Sequence, residues 1–291
     1  MNASWLDTNW LARRPRRRCQ VGQTQTIELG RAAIRYQLAG TGSPVILIPD
    51  PPNTIEHYDG LTRMLMRDHR VLCFDPVGFG FSFPGPGFRF TISEQAELLL
   101  ALLEAHQLRD CTLSVSCVGA FAGLLAASRR PDRIAKLILM QTASYAEMRT
   151  WTLQEDVCRI IQTPVVGQLA TRIGKQLVAR QWYGSALPAG ADVSPYLEPT
   201  LASFQHGACF CLASAFQAFQ RNRFALAAPI RQRTVLLWGG ADRTHAKTRP
   251  ESIREHVPHA TLLHYADRGH FLDLENPSAY SELLRDIAGG R

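Results

Sequence analysis

With 291 residues, 46% of them aliphatic, aromatic or cysteine, the chain carries enough apolar material for a large core, which excludes a disordered polymer. No run approaches the roughly 18 to 20 uninterrupted apolar residues of a membrane-spanning helix, and the N-terminus lacks an apolar signal core, so a cytoplasmic protein is expected. The formal net charge of +7 is local, because Arg13, Arg14, Arg16, Arg17 and Arg18 supply five of those charges.

The N-terminal segment 1–23 reads as a basic arm, interrupted by Pro15 and preceded by Trp5, Leu6, Trp10 and Leu11. Such a run is usually a solvated tail. Its sharper reading is contact with something acidic, such as an acyl carrier protein, the phosphates of coenzyme A or a membrane surface. No nucleic-acid recognition motif accompanies it, so nucleic acid is not an expected partner.

From residue 24 onward, short β-rich runs alternate with amphipathic stretches, the pattern of a mostly parallel sheet covered by helices on both faces. Strands are predicted at Thr24–Leu29, Ala33–Ala39, Val45–Ile48, Arg70–Phe74, Cys111–Ser116, Lys136–Gln141, Thr234–Trp238 and Thr261–Tyr265. Four of them, beginning at Val45, Cys111, Lys136 and Thr234, are almost continuously apolar, as strands buried on both faces should be. Helices are predicted over Ile55–Arg67, Ser93–His106, Val118–Arg130, Thr248–His256 and Pro277–Ile287, the second starting at a Ser93 cap. Between Gln141 and Thr234 the patterns are helical only, at Trp151–Ile161, Val165–Trp182 and Pro199–Phe219, with no convincing strand. That stretch is too long for a crossover, so 144–231 is expected to be a helical lid inserted into a core made of 24–143 and 232–291. Its Trp, Tyr, Phe and Leu content suits the roof of an apolar cavity.

The seven cysteines are scattered, with no pairing suited to a disulfide framework or zinc ribbon, and no metal is expected. No dinucleotide or P-loop fingerprint is present, so no organic cofactor is expected either. One cysteine stands apart. Cys117, in Val115-Ser116-Cys117-Val118-Gly119, lies at a strand-to-helix junction, where a sharp elbow lifts a side chain above the sheet. Such an elbow needs small residues two before and two after the nucleophile. Gly119 meets the second requirement and Val115 violates the first. Ser116 is the alternative nucleophile, but Val118 would then block the turn.

Four motifs in order resemble the α/β-hydrolase superfamily, in its branch with a helical lid. They are Asp75-Pro76-Val77-Gly78-Phe79-Gly80-Phe81-Ser82, the Cys117 elbow, Gly239-Gly240-Ala241-Asp242 and Gly269-His270-Phe271. The resemblance implies an α/β-hydrolase fold with an eight-stranded, mostly parallel sheet. It also implies a triad in which Cys117 is the nucleophile, His270 the proton carrier and Asp242 the orienting acid. His245, His256, His259 and His264 read instead as surface loop histidines. Relatives usually donate an oxyanion N–H from a His-Gly-x-Pro loop. Here the loop is Pro49-Asp50-Pro51-Pro52: Pro51 has no N–H, Asp50 adds a carboxyl group, and Val118 N–H is left alone unless Asn53 helps.

A thiol nucleophile exchanges sulfur for sulfur with a thioester at little cost, whereas taking an oxygen ester to a thioester is uphill. The expected activity is thus acyl processing of an ester or thioester by a hydrolase, thioesterase or acyltransferase. Two alternatives follow from the altered loop: a catalytically silent ligand-binding homologue, and a lyase or cyclase acting on a carrier-bound acyl chain.

Overall fold

The computed structural model describes residues 3–12 and 24–289; the arginines of the basic arm lie outside the described residues. Eight strands build the central sheet: β1 (Gln25–Leu29), β2 (Ala32–Ala39), β3 (Ser43–Leu47), β4 (His69–Phe74), β5 (Cys111–Ser116), β6 (Ile134–Met140), β7 (Arg233–Gly239) and β8 (Thr261–Tyr265). They lie in the order β1-β2-β4-β3-β5-β6-β7-β8, and a two-residue strand, Phe83–Pro84, pairs with β2. β1 and β2 run antiparallel to their neighbours and the remaining pairings are parallel. Every predicted strand is present, with ends shifted by two residues at most.

Because side chains alternate across a strand, each apolar strand feeds two cores. Ile46, Leu72, Leu113, Leu137 and Leu236 point to one face. Val45, Val71, Ile138 and Val235 point to the other. The first face is covered by α2 (Ile92–Ala105) and α3 (Ala120–Arg129), the second by α1 (Asp59–Leu65) and α8 (Pro277–Gly289). Leu98, Leu99, Leu102 and Leu103 of α2 recur at helical spacing and are buried, which is why that stretch folds as a helix against the sheet.

Several local expectations need correction. The cap of α2 is Thr91, whose side chain accepts from Glu94 N, and not Ser93. The stretch predicted as a helix at Thr248–His256 is a short 3₁₀ turn, Pro250–Glu255. Between β6 and β7 lie α4 (Tyr145–Gln154), α5 (Val166–Ala186), α6 (Ser194–Gln205) and α7 (Leu212–Arg221). The chain between α6 and α7 also contains a two-residue strand, Cys209–Phe210, which pairs with Phe79–Gly80 and breaks the helix predicted over Pro199–Phe219.

Two glycine-rich motifs have a steric explanation. Gly80 has φ +54°, and a side chain there would run into the Asp75 carboxylate, which accepts from Ile55 N and Phe81 N. Gly239, at the end of β7, packs on the backbone before His270: a methyl group there would overlap Gly269 O and lie 2.6 Å from Arg268 O. Gly239→Ala is therefore expected to lower the free energy of unfolding by about 3 kcal/mol, measured by chemical denaturation. A change below about 0.5 kcal/mol, the range of neutral surface substitutions, would show that the two loops can separate freely.

Candidate active site

The strand order reverses at β3, which sits between β4 and β5 while their connections leave in opposite directions. That arrangement opens a crevice at the carboxyl ends of the central strands. Pro49 and Asp50 follow β3, Cys117 follows β5, Asp242 follows β7 and His270 follows β8, so all of them arrive at this one end of the sheet.

Cys117 has φ +52°, left-handed backbone that a non-glycine residue seldom adopts, while Ser116 before it is extended at φ −119°. The apex of the elbow is thus Cys117. Val115, too large by the sequence rule, is accommodated by missing side chains on the helix it faces. A methyl on Gly123 would sit 3.2 Å from Val115 Cγ1, whereas one on Gly119 would make only ordinary contact. The small residue needed near the crossing is supplied one helical turn later.

His270 is fully buried and spans two carboxylates: Nδ1 lies 2.6 Å from Asp242 Oδ2, and Nε2 lies 2.9 Å from Asp50 Oδ2. Burial alone would depress its pKa, but the Asp242 charge and hydrogen bonds to Asp242, Asp50 and Cys117 outweigh this and hold it well above the usual histidine value. Both ring nitrogens then carry protons and donate. Asp242 is kept at about 2, since His270 overcomes the opposing effect of burial. Its orientation is set by Gln141 Nε2 at 2.6 Å, Thr244 N at 2.9 Å and Thr244 Oγ1 at 2.7 Å.

The Cys117 thiol is pushed up to about 11, first by burial and then by the nearby Asp50 charge, with His270 and Val118 N–H acting in the opposite direction. At neutral pH it is a thiol. Its alkylation by iodoacetamide, followed site by site by mass spectrometry, should rise with an inflection near pH 11, not near the ordinary value of 9. At pH 7.5 that difference makes Cys117 react about a hundredfold more slowly than an unperturbed thiol. The exposed Cys158 serves as the internal control. An inflection below 9 would mean that the resting thiol is already activated.

His245 corrects one expectation. It is not a surface histidine but is only 2% exposed, stacked on Trp151 at 4.6 Å between ring centroids and on His270 at 5.3 Å. Its Nε2 lies 3.9 Å from Cys117 Sγ, and burial drives its pKa down to about 3, so the ring is neutral. A polar side chain three residues past the Asp242 turn was the only sequence signal for it. Asn53 also departs from expectation. Its Oδ1 accepts from Tyr183 OH, its backbone N–H donates to Asp50 O, and it does not line the cavity above Cys117.

Ligating atoms of Cys117, His245 and His270 lie within 4.8 Å of one another, the one such group among the described residues.

Above the elbow is a cavity of about 520 Å³ lined by Cys117, Val118, Ser116, Asp50, Pro51 and apolar side chains including Ile48, Phe74, Leu99, Trp182 and Phe216. Trp151, Glu155, Val178 and Trp182, from the helical segment between β6 and β7, also line it. Glu155 is raised to about 6, by burial first and then by the Asp242 charge. Trp182 places its ring 5.0 Å from that of His270, and its Nε1 is buried without a partner in the structure. Neither was singled out from sequence, because both belong to a segment whose apolar residues serve packing and cavity alike.

A mostly parallel α/β sheet with a Cys, His and Asp cluster on its strand-end loops defines the class of protein. The chain belongs to the α/β-hydrolase fold family, whose model matches residues 44–277. It is 25% identical over 259 residues, 84% of this chain and 81% of the other, to cis-3-alkyl-4-alkyloxetan-2-one decarboxylase of Shewanella oneidensis. It is 24% identical over 227 residues, 75% and 78% of the two chains, to 3-oxoadipate enol-lactonase 2 of Acinetobacter baylyi. In structure it resembles an epoxide hydrolase of Bacillus megaterium, with a TM-score of 0.71, 18% identity, and 91% and 100% of the two chains covered. Among the described residues, no helix is long and apolar enough to cross a membrane.

Proposed function

We propose that the protein is an acyl-processing enzyme that attacks the carbonyl of an ester, cyclic ester or thioester with Cys117. The observation that carries this reading is the left-handed Cys117 at the floor of an apolar cavity, beside an imidazole held by Asp242. Both relatives named above that align over most of the chain have cyclic esters in their names, an oxetan-2-one and an enol-lactone, which supports an ester-like carbonyl. The cavity's apolar walls suit alkyl or acyl chains. In this reading the helices between β6 and β7 act as a lid.

The reaction needs a route for the thiol proton, since His270 rests protonated on both nitrogens. The Nε2 proton crosses 2.9 Å to Asp50 Oδ2, and the freed lone pair takes the Sγ proton as sulfur bonds to the carbonyl carbon. The carbonyl π electrons move onto oxygen, where Val118 N–H and the newly formed Asp50 O–H donate to it. Asp50 thereby replaces the amide donor that Pro51 lacks. Collapse breaks the bond to the leaving group, which takes the Nε2 proton and leaves an acyl-thioester on Cys117. Water or an acceptor then gives its proton to Nε2 and attacks. The carbon–sulfur bond breaks, sulfur regains the proton from Nε2, and Asp50 returns its proton to His270. A donor carried by an acyl carrier protein or coenzyme A would bring negative charge for Arg13, Arg14, Arg16, Arg17 and Arg18 to meet.

Intact-mass spectrometry after exposure to a panel of acyl thioesters and lactones tests the reading. The wild type should gain one acyl mass on the Cys117 peptide; no adduct and no turnover across the panel would refute it. The Asp50–His270 contact also favours a second reading, a lyase or cyclase in which this pair removes a substrate proton. A ring or alkene product in place of a free acid would identify it.

A further inference from the structure

The outer face of α5 has no covering element among the described residues. Val166, Leu169, Ile173 and Leu177 are 51%, 43%, 85% and 60% exposed. Their spacing of three, four and four residues puts them in one stripe, ~17 Å long at the rise of an α-helix. Val157 and Ile160, in the turn leading to this helix, are exposed as well, at 75% and 44%. From Val157 to Ala191 the chain has Arg159, Arg172, Lys175 and Arg180 and not one Asp or Glu.

The N-terminal segment adjoins this helix. Ser214 Oγ of α7 donates to Asp7 Oδ2 at 2.6 Å, and Arg172 of α5 acts electrostatically on the same carboxyl. Asp7, the only carboxylate of residues 3–12, is buried, while Trp5 and Trp10 are 49% and 64% exposed. In sequence the arginines at 13, 14, 16, 17 and 18 follow directly.

We infer that this face docks on an anionic lipid bilayer, with α5 lying in the plane of the headgroups. Lys175 reaches inward to Phe204 O and Ala208 O, so the exposed cations of this segment are Arg159, Arg172 and Arg180; an apolar stripe accompanied by exposed arginine and tryptophan is the composition of an interfacial helix. Self-pairing through the same stripe would bring like charges together, since a two-fold interface apposes identical patches. The bilayer also suits the cavity. Val157, Ile161 and Val178, on or beside the docking segment, line it, so an acyl chain could leave the membrane along this wall. The inference rests on the surface alone and holds whether or not Cys117 turns over.

Flotation of the full-length protein with vesicles of phosphatidylglycerol and phosphatidylcholine tests it, with pure phosphatidylcholine vesicles as the neutral arm. Binding to the anionic vesicles should be at least about tenfold stronger than to the neutral ones and should weaken as salt is raised. Ile173→Glu with Leu177→Glu should reduce it about tenfold or more, with far-UV circular dichroism and turnover of a water-soluble short-chain thioester unchanged; Ile173→Ser with Leu177→Ser replaces that pair if it misfolds. No vesicle binding, or equal binding by the wild type and the variant, would overturn the proposal. So would self-association, or capture by an acidic carrier protein, that the variant abolishes while vesicles remain unbound. Vesicle binding without turnover of any substrate would refute the acyl-enzyme reading and leave docking intact.

Discussion

Cys117→Ala should abolish the acyl adduct and lower kcat for the best thioester or lactone substrate by about ten thousandfold, with the fold preserved. The thiol stands at the elbow apex, where its left-handed backbone holds it at the floor of the cavity. Removing one sulfur from a buried site that also contains His245 and His270 leaves both imidazoles in place, so any residual rate measures what they achieve with water alone. Cys117→Ser should recover little, because the weaker acid must surrender its proton to an imidazole that first has to release its own. Retention of more than a tenth of wild-type kcat in the alanine variant, measured on the same substrate, would remove Cys117 from the reaction.

The second large effect concerns Asp50. The family resemblance implies a backbone N–H on this side of the oxyanion, and Pro51 cannot supply one. If the Asp50 carboxyl takes the Nε2 proton and offers it to the oxyanion, Asp50→Ala should lower kcat about a hundredfold to a thousandfold, the usual cost of one oxyanion donor. Asp50→Asn should fall between the alanine variant and wild type, because its amide N–H can still donate but cannot accept and return a proton. The competing expectation is opposite in sign. If Asp50 merely holds the proton on His270 Nε2, 2.9 Å from its Oδ2, truncation would weaken the imidazole's hold on that proton, a neutral Nε2 would accept from the thiol, and kcat would rise. Steady-state kinetics of the two variants, with KM and kcat separated, distinguish the cases.

Most of the scaffold was legible because its signals are local. The strands beginning at Val45, Cys111, Lys136 and Thr234 announce themselves as apolar runs buried on both faces. The glycines of Gly239-Gly240-Ala241-Asp242 and Gly269-His270 mark places where backbones meet too closely for a side chain. The short breaks in the region between β6 and β7 were missed because helix boundaries there depend on the pairing of Cys209–Phe210 with Phe79–Gly80, more than a hundred residues away. The clash expected of Val115 was misjudged for a similar reason, since its relief comes from Gly123 on the following helix.

By itself the sequence determined an α/β sheet with helices on both faces and the strand-to-helix junction at Cys117, because strand periodicity and turn chemistry are written in neighbouring residues, while the Asp242 and His270 loops were legible through the family resemblance. Only the tertiary structure decided that His270 bridges Asp242 and Asp50, that His245 is buried beside the thiol, and that burial and the Asp50 charge push the thiol up. Those outcomes depend on charge, burial and hydrogen bonding between residues as far apart as Asp50 and His270. Such interactions exist only after the chain has closed on itself and excluded water.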